Sequence, residues 1–294
     1  MNPMIEKLTK ISVEQQRFAD IWAPKKIDPR SQEGVQKLDE LSLIPGIFVH
    51  NEIENQLGEW IKWRNPKTKY TEDSLKKAVS KELGEFTTWN YGTWFYYPWS
   101  NKLVHFLDEQ KFLETRTSRN IYKITPEERD IIATKKIGVA GLSVGQSVSL
   151  VLAMERCFRE LRIADFDILE LSNLNRIRTG VHNLGINKGV AVAREIFEID
   201  PYLKIKVFSG GLTEDNLDRF FNEGGKLDLM VDERSQGAST YYWYFGTGDK
   251  SNTRIPIYTY QDTGSFELKL KVENQFGCVD SMMQSLLVMP DYLD

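Results

Sequence analysis

The chain is poor in the residues that announce metal or disulfide chemistry. It holds two cysteines and three histidines in 294 residues. Cys157 and Cys278 are far apart in sequence, so no structural disulfide is expected, and a reducing, cytoplasmic compartment fits. His50 and His105 each lack a second histidine or cysteine at ligand spacing, which points to structural roles. No apolar run approaches the roughly 18 residues of a membrane span, so no membrane partner is expected. The opening stretch MNPMIEKLTKISVEQQ has no continuous apolar core and no cleavage-like site, so it does not read as a secretory leader. Positive charge is not in excess either: a net charge of −4 argues against a nucleic-acid-binding surface. What remains is a chain of ordinary globular composition, long enough for two or three domains.

The informative stretch runs from Lys136 to Arg194. Ile137 to Ala140 is a short apolar run suited to a strand buried on both faces. Gly141 and Gly145 flank a tight turn around Ser143, and Gln146 to Phe158 carries Val148, Leu152, Met154 and Phe158 at helical spacing. A strand, a glycine turn and a helix start bring free N–H groups and the positive end of a helix dipole to one point, an anion site usually filled by phosphate. A second strand, Leu161 to Ala164, delivers Asp165 about 24 residues after Gly141, near the spacing of a ribose-binding acid in a nucleotide-binding βαβ unit. The turn lacks the third glycine of the usual fingerprint, and by itself it fits an ordinary βα connection equally well.

The residues that follow are more specific. Asp165-Phe-Asp167-Ile-Leu-Glu170-Leu-Ser172-Asn173-Leu-Asn175-Arg176 closely resembles the signature of ThiF/MoeB/HesA-type adenylyltransferases, the superfamily that includes ubiquitin-activating enzymes. The resemblance runs from about Arg119 to about Glu233. The Gly-Leu-Ser-Val-Gly loop and the Arg119-Asn-Ile-Tyr-Lys-Ile-Thr lead-in look most like a bacterial branch with a long N-terminal extension. It implies ATP and Mg²⁺ as cofactors and adenylation of the C-terminal carboxylate of a small ubiquitin-like or sulfur-carrier protein, in a homodimer. Residue by residue, it implies that Gly141, Ser143 and Gly145 form the nucleotide loop and that Asp165 holds the ribose hydroxyls. Asn173 and Arg176 would contact the phosphates, with Asn175 beside them. Lys188 would neutralise charge at the α-phosphate, and Asp167 would assist metal binding. Arg176 and Lys188 are the implied catalytic cations, both expected in loops. Arg119 would match, more loosely, an arginine that reaches the partner's ATP. These types suit the chemistry, because such transfer depends on positioning and on positive charge around the transferred group. The competing reading is a surface loop whose Asp and Arg residues pair with each other. No cysteine is placed by motif for a thioester step; Cys157 reads as core, behind the glycine loop.

Elsewhere the pattern is coarser. Helices are expected over Pro3–Asp20, Gly34–Leu41 and Ile47–Trp63, the last closing before Asn65-Pro66, and from a Thr71 cap to about Gly84. An aromatic block follows: Phe86, Trp89, Tyr91, Trp94, Phe95, Tyr96, Tyr97 and Trp99. No basic residue interleaves with the rings until Lys102, so it reads as packing surface rather than a base-stacking platform. Thr125-Pro126-Glu127-Glu128 starts a helix. After Lys188 come a helix stopped by Pro201, a strand Leu203–Phe208, a helix Thr213–Phe221 capped by Thr213, and a strand Leu227–Val231. Alternating strands and helices predict a parallel, doubly wound sheet.

The resemblance to the adenylyltransferases then fails. The family's Mg²⁺-binding aspartate falls in register on Ser235, within Asp232-Glu233-Arg234-Ser235, which leaves Asp232 as the candidate metal ligand. From Tyr242 to Gly277 the chain resembles the later part of a polycystic-kidney-disease (PKD) domain, with Phe266, Leu268, Leu270 and Val272 alternating with Glu267, Lys269, Lys271 and Glu273 as in a half-buried strand. The joint reads as a fusion or truncated gene product; the alternative makes Ile255–Tyr260 a fifth parallel strand. The expected fold is α/β: a mixed α+β region over 1–115, a parallel Rossmann-like nucleotide-binding sheet over 116–236, and a short antiparallel PKD-like segment over 237–294. The expected function is a ThiF-type adenylyltransferase impaired by truncation; the alternative is a non-catalytic interaction protein working through the PKD-like segment.

Overall fold

The computed structural model describes residues 3–16, 18–120, 123–232, 238–253, 256–274 and 279–288, grouped in two compact units, Met1–Asp232 and Glu233–Asp294. In chain order the first unit begins with α1 (Pro3–Gln16), β1 (Lys25–Ile27), α2 (Gln32–Ser42), β2 (Phe48–Asn51), α3 (Ile53–Arg64), α4 (Glu72–Leu83), β3 (Thr93–Tyr97), β4 (Lys102–Phe106) and α5 (Glu109–Arg116). Local chemistry sets several ends. The Thr71 hydroxyl accepts from the Ser74 N–H and the Ser74 side chain answers the Thr71 N–H, a reciprocal cap that starts α4, and Gly84 at φ 61° ends it.

One predicted helix is corrected. Phe48–Asn51 is not the start of α3 but an exposed strand lying parallel to β4, with His50 opposite Val104. An edge strand with neither face covered shows no alternation, so its period was not visible. Helix α3 begins at Ile53 and buries Ile53, Leu57 and Ile61, four residues apart along one stripe. The N-terminal sheet has the order β1-β3-β4-β2. Its central strand β3 is the densest part of the aromatic block and is buried at all five positions. Trp94 and Tyr96 face Ile27, Leu41 and Leu103, whereas Phe95 and Tyr97 join the core of the second sheet. The block is packing surface on both sides. His105 lies flat against Trp94, centroids 4.1 Å apart, with no exposure, and burial lowers its pKa to about 4.

The unit continues with α6 (Pro126–Ile132), β5 (Lys136–Ala140), α7 (Gly145–Glu155), β6 (Glu160–Ala164), α8 (Lys188–Ile199), β7 (Ile205–Phe208), α9 (Leu217–Asn222) and β8 (Leu229–Asp232). The four strands are parallel in the order β7-β6-β5-β8. Period two sorts their side chains. Ile137, Val139, Leu161, Ile163 and Ile205 pack with Ala153 of α7 and with Val192 and Ile196 of α8. Ala140, Ala164 and Phe208 pack with Phe220 of α9 on the opposite face. A Cβ on Gly138 would sit 2.6 Å from Leu227 Cδ1 and 2.9 Å from Phe220 Cε1, so glycine there lets α9 lie close. Strands β7 and β8 begin two residues later than expected, at Ile205 and Leu229, α1 ends at Gln16 rather than Asp20, and two helix boundaries inside this sheet also differ. Helix α7 ends at Glu155 because Arg156 takes a left-handed conformation, so Phe158 is buried beyond the helix. Helix α9 starts at Leu217, since Thr213 to Asn216 form a turn in which the Asn216 side chain accepts from the Thr213 N–H.

A buried ion pair braces this sheet. Arg162, with no exposure, bonds Glu160 at 2.8 Å and donates to the carbonyls of Phe220, Glu223 and Gly225 at the end of α9. Lys204 reaches the second Glu160 oxygen at 2.7 Å. Burial pushes the Glu160 carboxyl up, but the hydrogen bonds from Lys204 and Arg162 outweigh it and hold its pKa below the usual range.

The second unit is a single antiparallel sheet of β9 (Ala238–Tyr244), β10 (Lys250–Ser251), β11 (Gly264–Asn274) and β12 (Val279–Val288), in the order β10-β9-β11-β12. Strand β11 alternates as its sequence predicts: Leu270 pairs with Trp243 and Val272 with Tyr241, while Lys271 lies 5.3 Å over the Tyr242 ring. Residues 256–260 form no strand, and Ile257 is 98% exposed. The fifth-parallel-strand alternative therefore fails for these residues. Tyr258 instead stacks on Phe245 at 4.0 Å.

Two stability tests follow from the buried ionisable groups. Arg162→Met leaves Glu160 inside without its guanidinium and strips a donor from the carbonyls of Phe220, Glu223 and Gly225, of which Glu223 keeps Lys206; urea unfolding should show a loss of about 3–5 kcal/mol. His105 binds a proton more tightly unfolded, near pKa 6.5, than folded, so stability is full above that value and falls as pH drops toward 4. The decrease between pH 7.5 and 5 should be about 2 kcal/mol, and His105→Gln should flatten that slope.

Candidate functional site

The candidate site lies at the carboxyl ends of β5 and β6, where open α/β sheets bind ligands. Strand β5 passes into Gly141 at φ 80°, whose N–H donates to the Ala164 carbonyl at 3.0 Å and prolongs the β5–β6 ladder. Gly145 closes the turn on the Gly141 carbonyl at 3.2 Å. A Cβ on Gly145 would meet Val139 Cγ1 at 2.6 Å, so only glycine lets the start of α7 rest on β5. Ser143 is half-buried and Val144, the residue before α7, is exposed and gives no side-chain cap. Among the described residues neither N–H has an acceptor. They stand at the positive end of α7, where anions bind.

Asp165 is 7% exposed and both its oxygens are engaged. Oδ2 accepts from the Leu142 N–H at 2.7 Å and Oδ1 from the Asp167 N–H at 2.8 Å. Its carboxylate thus pins the glycine turn to the end of β6, a role the sequence reading did not assign. Asp167 is exposed and receives the Lys188 ammonium at 2.6 Å, and the Lys188 N–H donates to the Asp167 carbonyl. Lys188 is not in a loop, as expected, but is the first residue of α8 and 3% exposed. Asn173 turns inward at 6% exposure; its side chain accepts from the Glu170 N–H and closes a short 3-10 turn, Leu171–Asn175. Asn175 and Arg176 are exposed, and the Arg176 guanidinium donates to Asn175 Oδ1 at 3.0 Å. Among the described residues Arg176 has no carboxylate partner, so the loop of mutually paired Asp and Arg residues is not what forms.

Two organising residues were missed. Asn187 caps α8 by accepting from the Val190 N–H, while its amide nitrogen donates to the carbonyls of Asp165, Asp167 and Ser209 at 3.0, 3.1 and 3.0 Å. Its one sequence signal was an asparagine directly before a helix. Gln146, 2% exposed, exchanges two hydrogen bonds with the backbone of Arg178 and donates to Glu195, tying the basic loop to α7 and α8. Burial pushes the Glu195 carboxyl up against that hydrogen bond.

Other candidates stand apart. Arg119 is exposed and lines a cleft beside α3 and α5; no hydrogen bond or ion pair joins it to the glycine turn. Asp232 ends β8, its Cα opposite Ala140, which puts its backbone at the same sheet end as Gly141. Its side chain, Glu233 and Ser235 lie outside what is described. Among the described residues no group of three or more His, Cys, Asp or Glu could hold a metal ion, and no helix is long and apolar enough to cross a membrane. Burial pushes the Cys157 thiol up, away from nucleophile chemistry; Cys278 is not described.

Residues 117–233 match the model of the ThiF family and residues 213–284 that of the PKD domain. An uncharacterized protein of Mycobacterium tuberculosis is 41% identical over 140 residues, 48% of this chain and 19% of that protein. Ubiquitin-like modifier-activating enzyme 5 of Drosophila erecta is 29% identical over 100 residues, 33% of this chain and 25% of the enzyme. The chain therefore spans a quarter or less of the length of these relatives. The crystal structure of the E. coli tRNA N6-threonylcarbamoyladenosine dehydratase overlays 40% of this chain and 49% of its own, at 22% identity and a TM-score of 0.37. The chain carries a ThiF-family domain followed by a PKD match. The two matches overlap at 213–233, and there the structure builds α9 and β8 of the parallel sheet.

Asn187→Ala removes the cap together with the one amide nitrogen that three carbonyls share, and should cost on the order of 2–3 kcal/mol in urea unfolding. Asn187→Asp keeps the cap but sets a carboxylate against three carbonyls, and should be at least as destabilising.

Proposed function

We propose that residues 116–236 bind ATP and transfer its adenylyl group to the C-terminal carboxylate of a small ubiquitin-like or sulfur-carrier protein. Residues 1–115 form the supporting region and 237–294 an accessory β segment. The observation that supports this reading is the open amides of Ser143 and Val144 in a turn that Asp165 joins to Asp167 and its partner Lys188, with the exposed Arg176 in the loop that Gln146 ties to α7. The glycine turn Gly141–Gly145 receives phosphate on its backbone. Arg176, with Asn175 beside it, supplies exposed positive charge, and Lys188 supplies buried positive charge as the acyl-phosphate bond forms and pyrophosphate leaves. Asn173 acts by shaping the turn that presents Arg176. Asp165 meets the ribose only with an oxygen lone pair not used by the Leu142 and Asp167 amides. Asp167 and Asp232, at the end of β8, are the residues that would hold Mg²⁺, which would offset phosphate charge when bound. The protein works as a homodimer, and Arg119, outside this cluster and in a separate cleft, takes no part at the ATP site. ATP chemistry places the protein in the cytoplasm. Ser235 in place of a metal-binding aspartate makes the reaction slow.

A second reading, an interaction protein working through its PKD-like sheet, draws support from β12, whose Met282, Met283 and Leu287 are 70%, 60% and 65% exposed.

Arg176→Ala and Lys188→Ala should each weaken ATP binding by about 1.5–3 kcal/mol in calorimetry, as expected for a charge-assisted contact. Arg176→Ala should leave the melting temperature unchanged, and Lys188→Ala should lower it, because that ammonium is buried and paired. Unaltered ATP affinity in both variants refutes the site. Pyrophosphate exchange with a candidate carrier protein separates the two functions: slow exchange supports the enzyme, and exchange raised by one to two orders of magnitude in Ser235→Asp assigns the defect to the metal ligand. Absence of both ATP binding and exchange favours the interaction protein.

A further inference from the structure

The N-terminal half contains a cleft away from the glycine turn. It has a volume of about 880 Å³ and opens between α3, the end of β4 and α5, within the size range of small-molecule sites. Its wall is aromatic: Trp63, Phe106 and Phe112, with Phe106 set edge-on to Phe112 at 5.5 Å. The floor is rigid, because Gln56 donates to the His105 carbonyl and accepts from the Leu107 N–H, locking the end of β4 to α3. Around the rim stand Lys62, Arg116 and Arg119 against the single carboxylate of Glu59. Among the described residues Lys62 and Arg119 have no ion-pair partner.

Cations in the last turns of α3 and α5 also serve the helix dipoles, which explains the presence of Lys62 and Arg116 there but not the state of the Arg116 guanidinium. One nitrogen, Nη2, donates to the Ala153 carbonyl at 3.0 Å. The other, Nη1, is buried, has no hydrogen-bond acceptor, and approaches Asp200 only at 3.6 Å. A buried donor left without an acceptor is uncommon and costly. The buried Nη1 faces Asp200 and is not open to a ligand; the two free cations, Lys62 and Arg119, and the flat apolar walls together define a ligand with a planar apolar body and one anionic group.

We infer that this cleft is a binding site for a small aromatic carboxylate, separate from the glycine turn and independent of whether that turn binds ATP. The anion meets Lys62 and Arg119 at the rim, and the ring lies against Trp63 and Phe112. Arg116 is braced to α7 and unsuited to mutation, so the test uses the exposed Lys62 and the half-buried Trp63. Calorimetry of the full chain with 1-naphthoate should give one site. Lys62→Glu and Trp63→Ala, with unchanged melting temperatures, should each weaken it at least tenfold. The neutral 1-naphthamide should bind at least tenfold more weakly, and saturating ATP should not displace the anion. The inference is overturned if 1-naphthoate does not bind at millimolar concentration, if neither variant alters its affinity, if the amide binds as well as the acid, or if ATP competes.

Discussion

Everything at the carboxyl ends of the parallel strands depends on the two oxygens of Asp165. One oxygen holds the Leu142 amide in the glycine turn after β5, and the other holds the Asp167 amide at the start of the signature loop after β6. Hydrogen bonds from backbone N–H to a carboxylate are among the stronger ones available, each about 1.5–3 kcal/mol. They matter here because the two segments are otherwise connections with nothing regular to hold them. With Asp165 in place, Asn187 gathers the carbonyls of Asp165, Asp167 and Ser209 under the first turn of α8, and Lys188 follows onto Asp167. The site is assembled by a carboxylate that collects amides and an amide that collects carbonyls.

The first unit also shows why the N-terminal half accompanies this sheet. Phe95 and Tyr97 of β3 share a core with Val139, Leu161 and Ile196, and the Tyr97 hydroxyl donates to the Phe197 carbonyl at 3.1 Å. The same strand turns Trp94 and Tyr96 to a separate cluster. A strand buried on both faces needs large apolar residues at consecutive positions, which is what the block Trp94 to Tyr97 supplies. Removing this half would expose a large apolar surface on the parallel sheet side, so the two halves are read best as one folding unit.

The overlap of the two family matches at 213–233 has a physical outcome. Leu227, Met230 and Phe220 are apolar partners of Ala140, Ala164 and Phe208, and β8 completes its ladder against β5. A parallel edge already in place offers both hydrogen bonds and an apolar face. The residues at the front of the PKD match therefore complete the parallel sheet, and the later ones form an antiparallel sheet with an exposed apolar edge strand.

Much of this was legible in the chain itself. The positions of β5, β6 and β8, the glycine turn, the Thr71 and Thr125 caps and the alternation of β11 all rest on interactions between near neighbours in sequence, or on a periodicity that burial of one face enforces. The ThiF-like signature from Asp165 to Arg176 is likewise a contiguous run. Strand β2 was not legible, since an uncovered edge leaves no period, nor were the end of α7 at Arg156 and the start of α9 at Leu217. The inward turn of Asn173, the burial of Lys188, the part played by Asn187 and Gln146, and the separation of Arg119 from the glycine turn were decided only when distant segments met. A side chain's role as clasp, counter-ion or open contact is set by which backbone groups lack partners around it, and that census exists only in the folded chain.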